Sequence, residues 1–186
     1  MTRQIKALFI LPHYDFDDDE FFGIRDALEA KGVSTEIAST HLSEAQGRFR
    51  KIVSPEFLIQ DVEADDYDTF IFIGGDGVEE LYNDVDVQNL VNDALIAHKT
   101  VALVGQAVPI LYYANVLRGR QVTTHEGLKQ IIEEGGGFYT GTSMHQDGDI
   151  ITGFDNRSVK DMADAILRSL DYEKEREANE HLGKQS

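Results

Sequence analysis

Residues 100–127 read TVALVGQAVPILYYANVLRGRQVTTHEG, and the reading of this stretch decides the fold. Thr100–Val104 is a short apolar run of the kind buried on both faces of a parallel sheet. It enters a turn at Gly105–Gln106, and helical spacing predicts a helix over 107–116. A strand that ends in a sharp turn and then a helix is how a nucleophile elbow is built, with the turn residue exposed at the top of a sheet. Here that residue is glycine, which relieves the positive φ that an elbow imposes on other residues. A short strand near 121–123 and a helix at about 125–134 follow.

The same alternation extends in both directions. Residues 5–12 (IKALFILP) are another buried strand. In 17–31 (DDDEFFGIRDALEAK), Phe21, Ile24 and Leu28 recur at helical spacing, acids crowd the first turn and Gly32 stands at the C-cap. Residues 33–39 alternate as a strand, and the less regular 40–60 suit a small hairpin or lid. The run YDTFIFIGGDG (67–77) is a strand ending in a glycine turn. A helix over 86–98 carries Val87, Leu90, Val91, Ala94 and Leu95 on one face. Residues 138–153 read as a hairpin around QDGD. A last helix starts near Arg157, with Val159, Met162, Ala163, Ile166, Leu167 and Leu170 as its stripe. Alternating strands and helices predict an α/β fold, a three-layer α-β-α sandwich around a mostly parallel sheet with a small late hairpin. Residues 1–172 read as one domain and 173–186 as a charged tail, on the surface or disordered. Ligands in such folds bind at the carboxyl ends of the strands, here 12–20, 74–77 and 104–107.

The chain has 34 acidic against 17 basic residues, a formal charge of −17, and no cysteine. Disulfides, thiolate catalysis and cysteine–metal sites are therefore excluded. The acids are spread along the whole chain, which reads as a solvated surface suited to a high-salt cytoplasm rather than as a cation-binding face. No basic patch argues for nucleic acid, and no apolar run reaches the length of a membrane span. The apolar run at the N-terminus is short and followed by acids, so it reads as a first strand of a cytoplasmic protein and not as a signal peptide. His13, Asp15 and Asp17 offer imidazole and oxygen ligands, yet their spacing fits no dedicated metal loop, and no metal or cofactor is expected.

Four pieces together resemble the DJ-1/PfpI (ThiJ) family, from Ile5 to about Leu170. FDDDEFFGIRDALEAKG (16–32) is similar to the family's first helix, whose glutamate faces the nucleophile, and Glu20 falls on that position. DTFIFIGGDG (68–77) is similar to the strand ending in a Gly-Gly turn, matched by Gly74 and Gly75. VLRGRQVTTHEGLKQII (116–132) resembles the segment after the elbow helix, where His125 matches a histidine near the reactive cysteine. DGDIITG (147–153) resembles the late hairpin. The resemblance implies a flavodoxin-like sheet and a homodimer or larger homo-oligomer. Class I glutamine amidotransferases share a similar elbow. The departure is at the elbow itself, where family members have cysteine, often followed by histidine, and this chain has Gly105–Gln106.

Each retained residue has two readings. Glu20 either faces the space over Gly105, binding a ligand donor or acting as a base on water, or is an N-terminal acid on the helix dipole. His125 is a general acid or base, or a histidine following a Thr-Thr helix cap. Gln106 offers an amide that binds but takes up no proton usefully. Asp76 lines the site or makes the turn through its own hydrogen bonds. The leading functional expectation is a DJ-1/PfpI-like protein without the catalytic cysteine, a binder of a small polar ligand or a structural or regulatory subunit. One alternative is a thiol-independent hydrolase or hydratase, glyoxalase-like, with Glu20 and His125 on a water. A more distant one is nucleotide binding through GGDG, which also resembles the turn of NAD kinases and diacylglycerol kinases, although those continue with threonine where this chain has Val78.

Overall fold

The computed structural model describes residues 3–183, with side chains as far as Asp171. In chain order the elements are β1 (Lys6–Ile10), β2 (Tyr14–Phe16), α1 (Asp18–Glu29), β3 (Ser34–Ser39), β4 (Ala45–Gly47), β5 (Ile52–Val53) and β6 (Phe57–Leu58). There follow β7 (Thr69–Phe72), α2 (Glu79–Tyr82), α3 (Val85–Ile96), β8 (Thr100–Val104), α4 (Ile110–Tyr113) and β9 (Gln121–Val122). The last are α5 (Lys129–Glu134), β10 (Phe138–Tyr139), β11 (Met144–Asp147), β12 (Ile150–Gly153) and α6 (Val159–Gly183).

The central sheet has the order β11-β12-β8-β7-β1-β3-β6. Every pair in it is parallel except β11–β12, the expected late hairpin. Strand pleating sorts the core into two layers. Leu8, Ile10, Phe70, Phe72, Val101 and Leu103 pack toward α3 and α4. Ala7, Phe9, Ile71, Ala102 and Val104 alternate with them and pack toward α1 and α6. The three-layer α/β sandwich is therefore the fold, and its strands β1, β7 and β8 converge with their carboxyl ends side by side.

Several local expectations are corrected. The helix expected over 107–116 is a 3-10 turn at Gly105–Ala107 and then the four residues of α4. Pro109 fixes its start, and Asn115, at φ +64°, turns the chain out of helical geometry. Thr123 and Thr124 do not cap a helix. Their hydroxyls donate instead to Thr142 O at 2.5 Å and Gly105 O at 2.8 Å, and His125 occupies the cap position. Phe138–Tyr139 stands apart from the late hairpin and pairs in parallel with β9. Backbone of α6 stays helical through Gly183, past the tail boundary expected at 172, while 184–186 lie outside the described residues. Residues 40–60 hold a hairpin, β4–β5, which joins β2 in a small three-stranded sheet.

Candidate functional site

Glu20 sits one turn into α1, and the cap of that helix determines where it points. Asp17 precedes the helix and accepts from the N–H groups of Asp19 and Glu20, the usual way to satisfy the free donors of a first turn. Asp17 is held in turn by its own N–H donating to Gly74 O at 2.9 Å and by Arg48 at 3.0 Å. Glu20 is thereby carried under the turn that ends β7. Its Oε2 accepts from the Gly74 N–H at 2.8 Å, and the residue is only 3% exposed.

The second oxygen of Glu20 faces Gly105. A Cβ added at Gly105 would lie 2.8 Å from Glu20 Oε1 and 3.7 Å from His125 Nε2. Two side chains from distant segments thus flank one point in space, and Gly105 leaves that point free. The Gly105 φ of +56° lies in the left-handed region, as expected of an elbow. Thr124 fixes the approach of the His125 segment through its bond to Gly105 O. Behind His125 stands Phe154, with ring centroids 5.5 Å apart.

Burial decides the charge of Glu20. Loss of solvent pushes its carboxyl up to about 8, helped by the nearby Asp17 charge and opposed by the Gly74 N–H and Arg48. At pH 7 the neutral form of the group is therefore favoured. With Oε2 accepting from Gly74, Oε1 is the oxygen left to carry the proton, on the side of Gly105. A buried neutral carboxylic acid is a hydrogen-bond donor there.

The other expected residues divide. Gly74 belongs to the site, since a Cβ there would fall 2.8 Å from Val104 O and 3.0 Å from Glu20 Oε2. Gly75 and Gly77 serve packing. A Cβ at Gly75 would lie 2.2 Å from Asp15 O, and one at Gly77 1.8 Å from Tyr14 O. The backbone of β2 therefore lies across the GGDG turn and leaves no room for a phosphate on that side. Gln106 gives its amide to Asp76 Oδ1 at 3.1 Å, so these two bond to each other at the rim rather than to Glu20 or His125. Tyr82 donates to Gln106 O at 2.6 Å and stacks on Tyr113 at 5.0 Å. Among the described residues no three His, Asp or Glu side chains form a metal-holding group. In the His13–Asp15–Asp17 stretch, Asp17 is engaged as the helix cap, and the buried His13 ring packs against Tyr14 and His41.

Sequence reading missed Arg48 and Asp155, and gave Thr124 only the role of a cap. Arg48 comes from the β4–β5 hairpin, and the Arg157 guanidinium beside Asp155 holds its carboxyl below the usual range. No motif marks the bonds of Arg48 to Asp17 and of Thr124 to Gly105, because each joins separate segments of the chain, and Asp155 bears on the site through its charge near Glu20.

The family model for DJ-1/PfpI matches residues 5–169, nearly the whole of the chain. The chain belongs to the DJ-1/PfpI family. This DJ-1/PfpI chain is 28% identical over 153 residues to an uncharacterized protein of Methanocaldococcus jannaschii, covering 81% of this chain and 75% of that one. It is 24% identical over 148 residues to a deglycase of Pyrococcus horikoshii, covering 80% and 89% respectively. Its fold superposes on the crystal structure of a ThiJ/PfpI domain protein from Brachyspira murdochii with a TM-score of 0.88 at 27% identity. That superposition covers 92% of this chain and 99% of the other. No helix among the described residues is long and apolar enough to cross a membrane.

Proposed function

We propose that this chain is a DJ-1/PfpI protein in which Gly105 stands at the position of the family's nucleophilic cysteine. On this reading it binds a small carbonyl- or carboxyl-bearing ligand over Gly105 in place of thiol chemistry. The observation that carries the reading is that Glu20 Oε1 and His125 Nε2 both approach the place where a side chain at residue 105 would begin, 2.8 and 3.7 Å from it. A ligand oxygen seated beyond that place accepts the Glu20 proton in a hydrogen bond, while Gly74 holds the other carboxyl oxygen. Deglycase or peptidase chemistry through a thiolate has no atom to start from in a chain without cysteine.

Titration with glyoxylate, followed by amide shifts in NMR, tests the reading. Saturable shifts at Gly74, Gly105 and His125 are expected, retained in Glu20→Gln, whose amide still donates, and lost in Gly105→Ala, whose methyl fills the space. Shifts that persist in Gly105→Ala contradict it.

The flanking of one point by two proton-carrying groups also favours a second reading, hydration of a reactive carbonyl. Water adds to the carbonyl carbon, His125 Nε2 takes its proton, and Glu20 gives a proton to the carbonyl oxygen. Faster exchange of solvent oxygen into the carbonyl of an aldehyde in high-salt buffer, abolished in Glu20→Gln, would favour this reading over binding alone. The phosphate-cradle reading of GGDG has little support, since β2 covers that turn.

The same reading takes the protein as a cytoplasmic homo-oligomer, its acidic surface suited to a high-salt interior. A candidate contact is the outer face of the small sheet, where Tyr14 and Ile52 share a row through Gln46 and are 59% and 47% exposed. Tyr14→Asp should lower the mass measured by light scattering to that of one chain.

A further inference from the structure

The opposite end of the sheet carries a hollow of about 330 Å³. Its lining is apolar at Leu95, Ile96 and Val116 and polar at Asn92, Asn115, Arg118 and Arg120. α3 ends at Ile96, and three residues separate it from β8, so the hollow lies at the amino end of β8. Gly105 lies at the carboxyl end, about 17 Å away along the five residues of the strand. The two sites are separate.

We propose that this hollow binds a small organic anion, an apolar or planar body bearing one carboxylate or phosphate. Charge is the first argument. The chain has twice as many acidic as basic residues, yet no residue lining the hollow is acidic and two are arginines. Arg118 makes no ion pair among the described residues, and Arg120 meets Asp147 only at 3.7 Å. In a molecule of net charge −17, two guanidinium groups at one rim are a local attractor for anions.

The second argument is Asn92. Its Nδ2 donates to Gln88 O at 2.9 Å and Ala114 O at 3.0 Å, so both hydrogens are used. The side chain is locked with Oδ1 left as an acceptor at the rim, ready for a ligand N–H or O–H. Fixed polar groups beside an apolar surface are the composition of a small-molecule site, and about 300 Å³ is the lower end of the usual size. The apolar part is genuine surface, since Ile96 is 77% exposed. An anion without a body would leave that surface wet, and a body without charge would leave the guanidinium groups unused.

The test is an NMR titration of the full chain with phenyl phosphate and with benzoate at low salt, with inorganic phosphate and phenol as controls. Saturable amide shifts confined to 92–96 and 115–120 are expected with at least one organic anion, with a Kd of about 1 mM or below. Inorganic phosphate and phenol should each bind at least about tenfold more weakly, and added salt should weaken the organic anion. Arg118→Gln/Arg120→Gln should lose the shifts while keeping a dispersed spectrum, and Arg118→Gln alone should weaken binding if the double variant unfolds. Glu20→Gln should leave this binding unchanged, which separates it from ligand binding over Gly105. The proposal is overturned by shifts retained in the arginine variants, by inorganic phosphate binding as well as phenyl phosphate, or by no saturation with either organic anion at about 10 mM.

Discussion

Two glycine turns end neighbouring strands, and they differ in what a side chain would meet. The turn after β7 is closed by backbone. Gly75 has φ +110° and ψ 166°, a region essentially reserved for glycine, and a Cβ there would press on Asp15 O and Asp17 N at 2.2 and 2.6 Å. The turn after β8 is open to side chains only. At Gly105 the nearest atoms to an added Cβ are the ends of Glu20 and His125, and the φ of +56° is one that other residues occupy at moderate strain. Glycine at 75 is therefore a requirement of the fold. Glycine at 105 is a choice that the fold does not demand, and what it leaves behind is a point between a buried acid and a histidine.

The largest expected effect tests the closed turn. Gly75→Ala should destabilise by more than about 3 kcal/mol, through both the backbone region and the contact with β2, as read by denaturant unfolding. A loss below about 1 kcal/mol would break the contrast, because the turn after β7 would then be as tolerant as the other.

Next comes the acid between the two turns. Glu20 has its folded-state pKa raised to about 8 from 4.5, so between those values the folded chain holds a proton that the unfolded chain has released. Stability therefore falls as pH rises through that window, by a contribution on the order of a few kcal/mol, and levels off above it. Glu20→Gln carries no such proton. It should remove this slope, match the parent near pH 5 and exceed it by a few kcal/mol near pH 9. Equal slopes in both proteins would show that Glu20 titrates as an exposed acid.

Smaller still is the open turn. Gly105→Ala should cost about 1–2 kcal/mol from its left-handed backbone and the displacement of Glu20 Oε1, well below Gly75→Ala in the same experiment. Gly105→Cys should be tolerated similarly and should react with iodoacetamide, since its sulfur would lie beside the Glu20 donor and His125. An inert thiol there would separate Gly105 from the nucleophile position. At the rim, Gln106→Ala removes one exposed bond to Asp76 and should change stability by less than about 0.5 kcal/mol.

The contrast also marks what sequence alone conveys. β8 and its turn are legible because five apolar residues in a row, then glycine, leave few alternatives, and the stripe Phe21–Ile24–Leu28 identifies the buried face of α1. The pairing of Glu20 with Gly105 was accessible only through family resemblance, since nothing local joins positions 85 residues apart. The β4–β5 hairpin was hard to read because its strands have three and two residues, too short for a period to appear. The Thr-Thr cap, one of two readings of the His125 segment, fails because sequence shows a threonine only its neighbours, whereas these hydroxyls go to Thr142 and Gly105. Asp17 was read within an acidic run, while its roles as helix cap and partner of Arg48 depend on the hairpin folding over it.

The most direct test of the account is the protonation of Glu20 itself. Carboxyl-carbon NMR of the folded chain, with Glu20→Gln to assign the resonance, follows that one group across the pH range. The account predicts a midpoint near pH 8, a neutral acid donating toward Gly105 at neutral pH. A midpoint near 4.5, the ordinary value for a glutamate, would mean a carboxylate in contact with water and would contradict it.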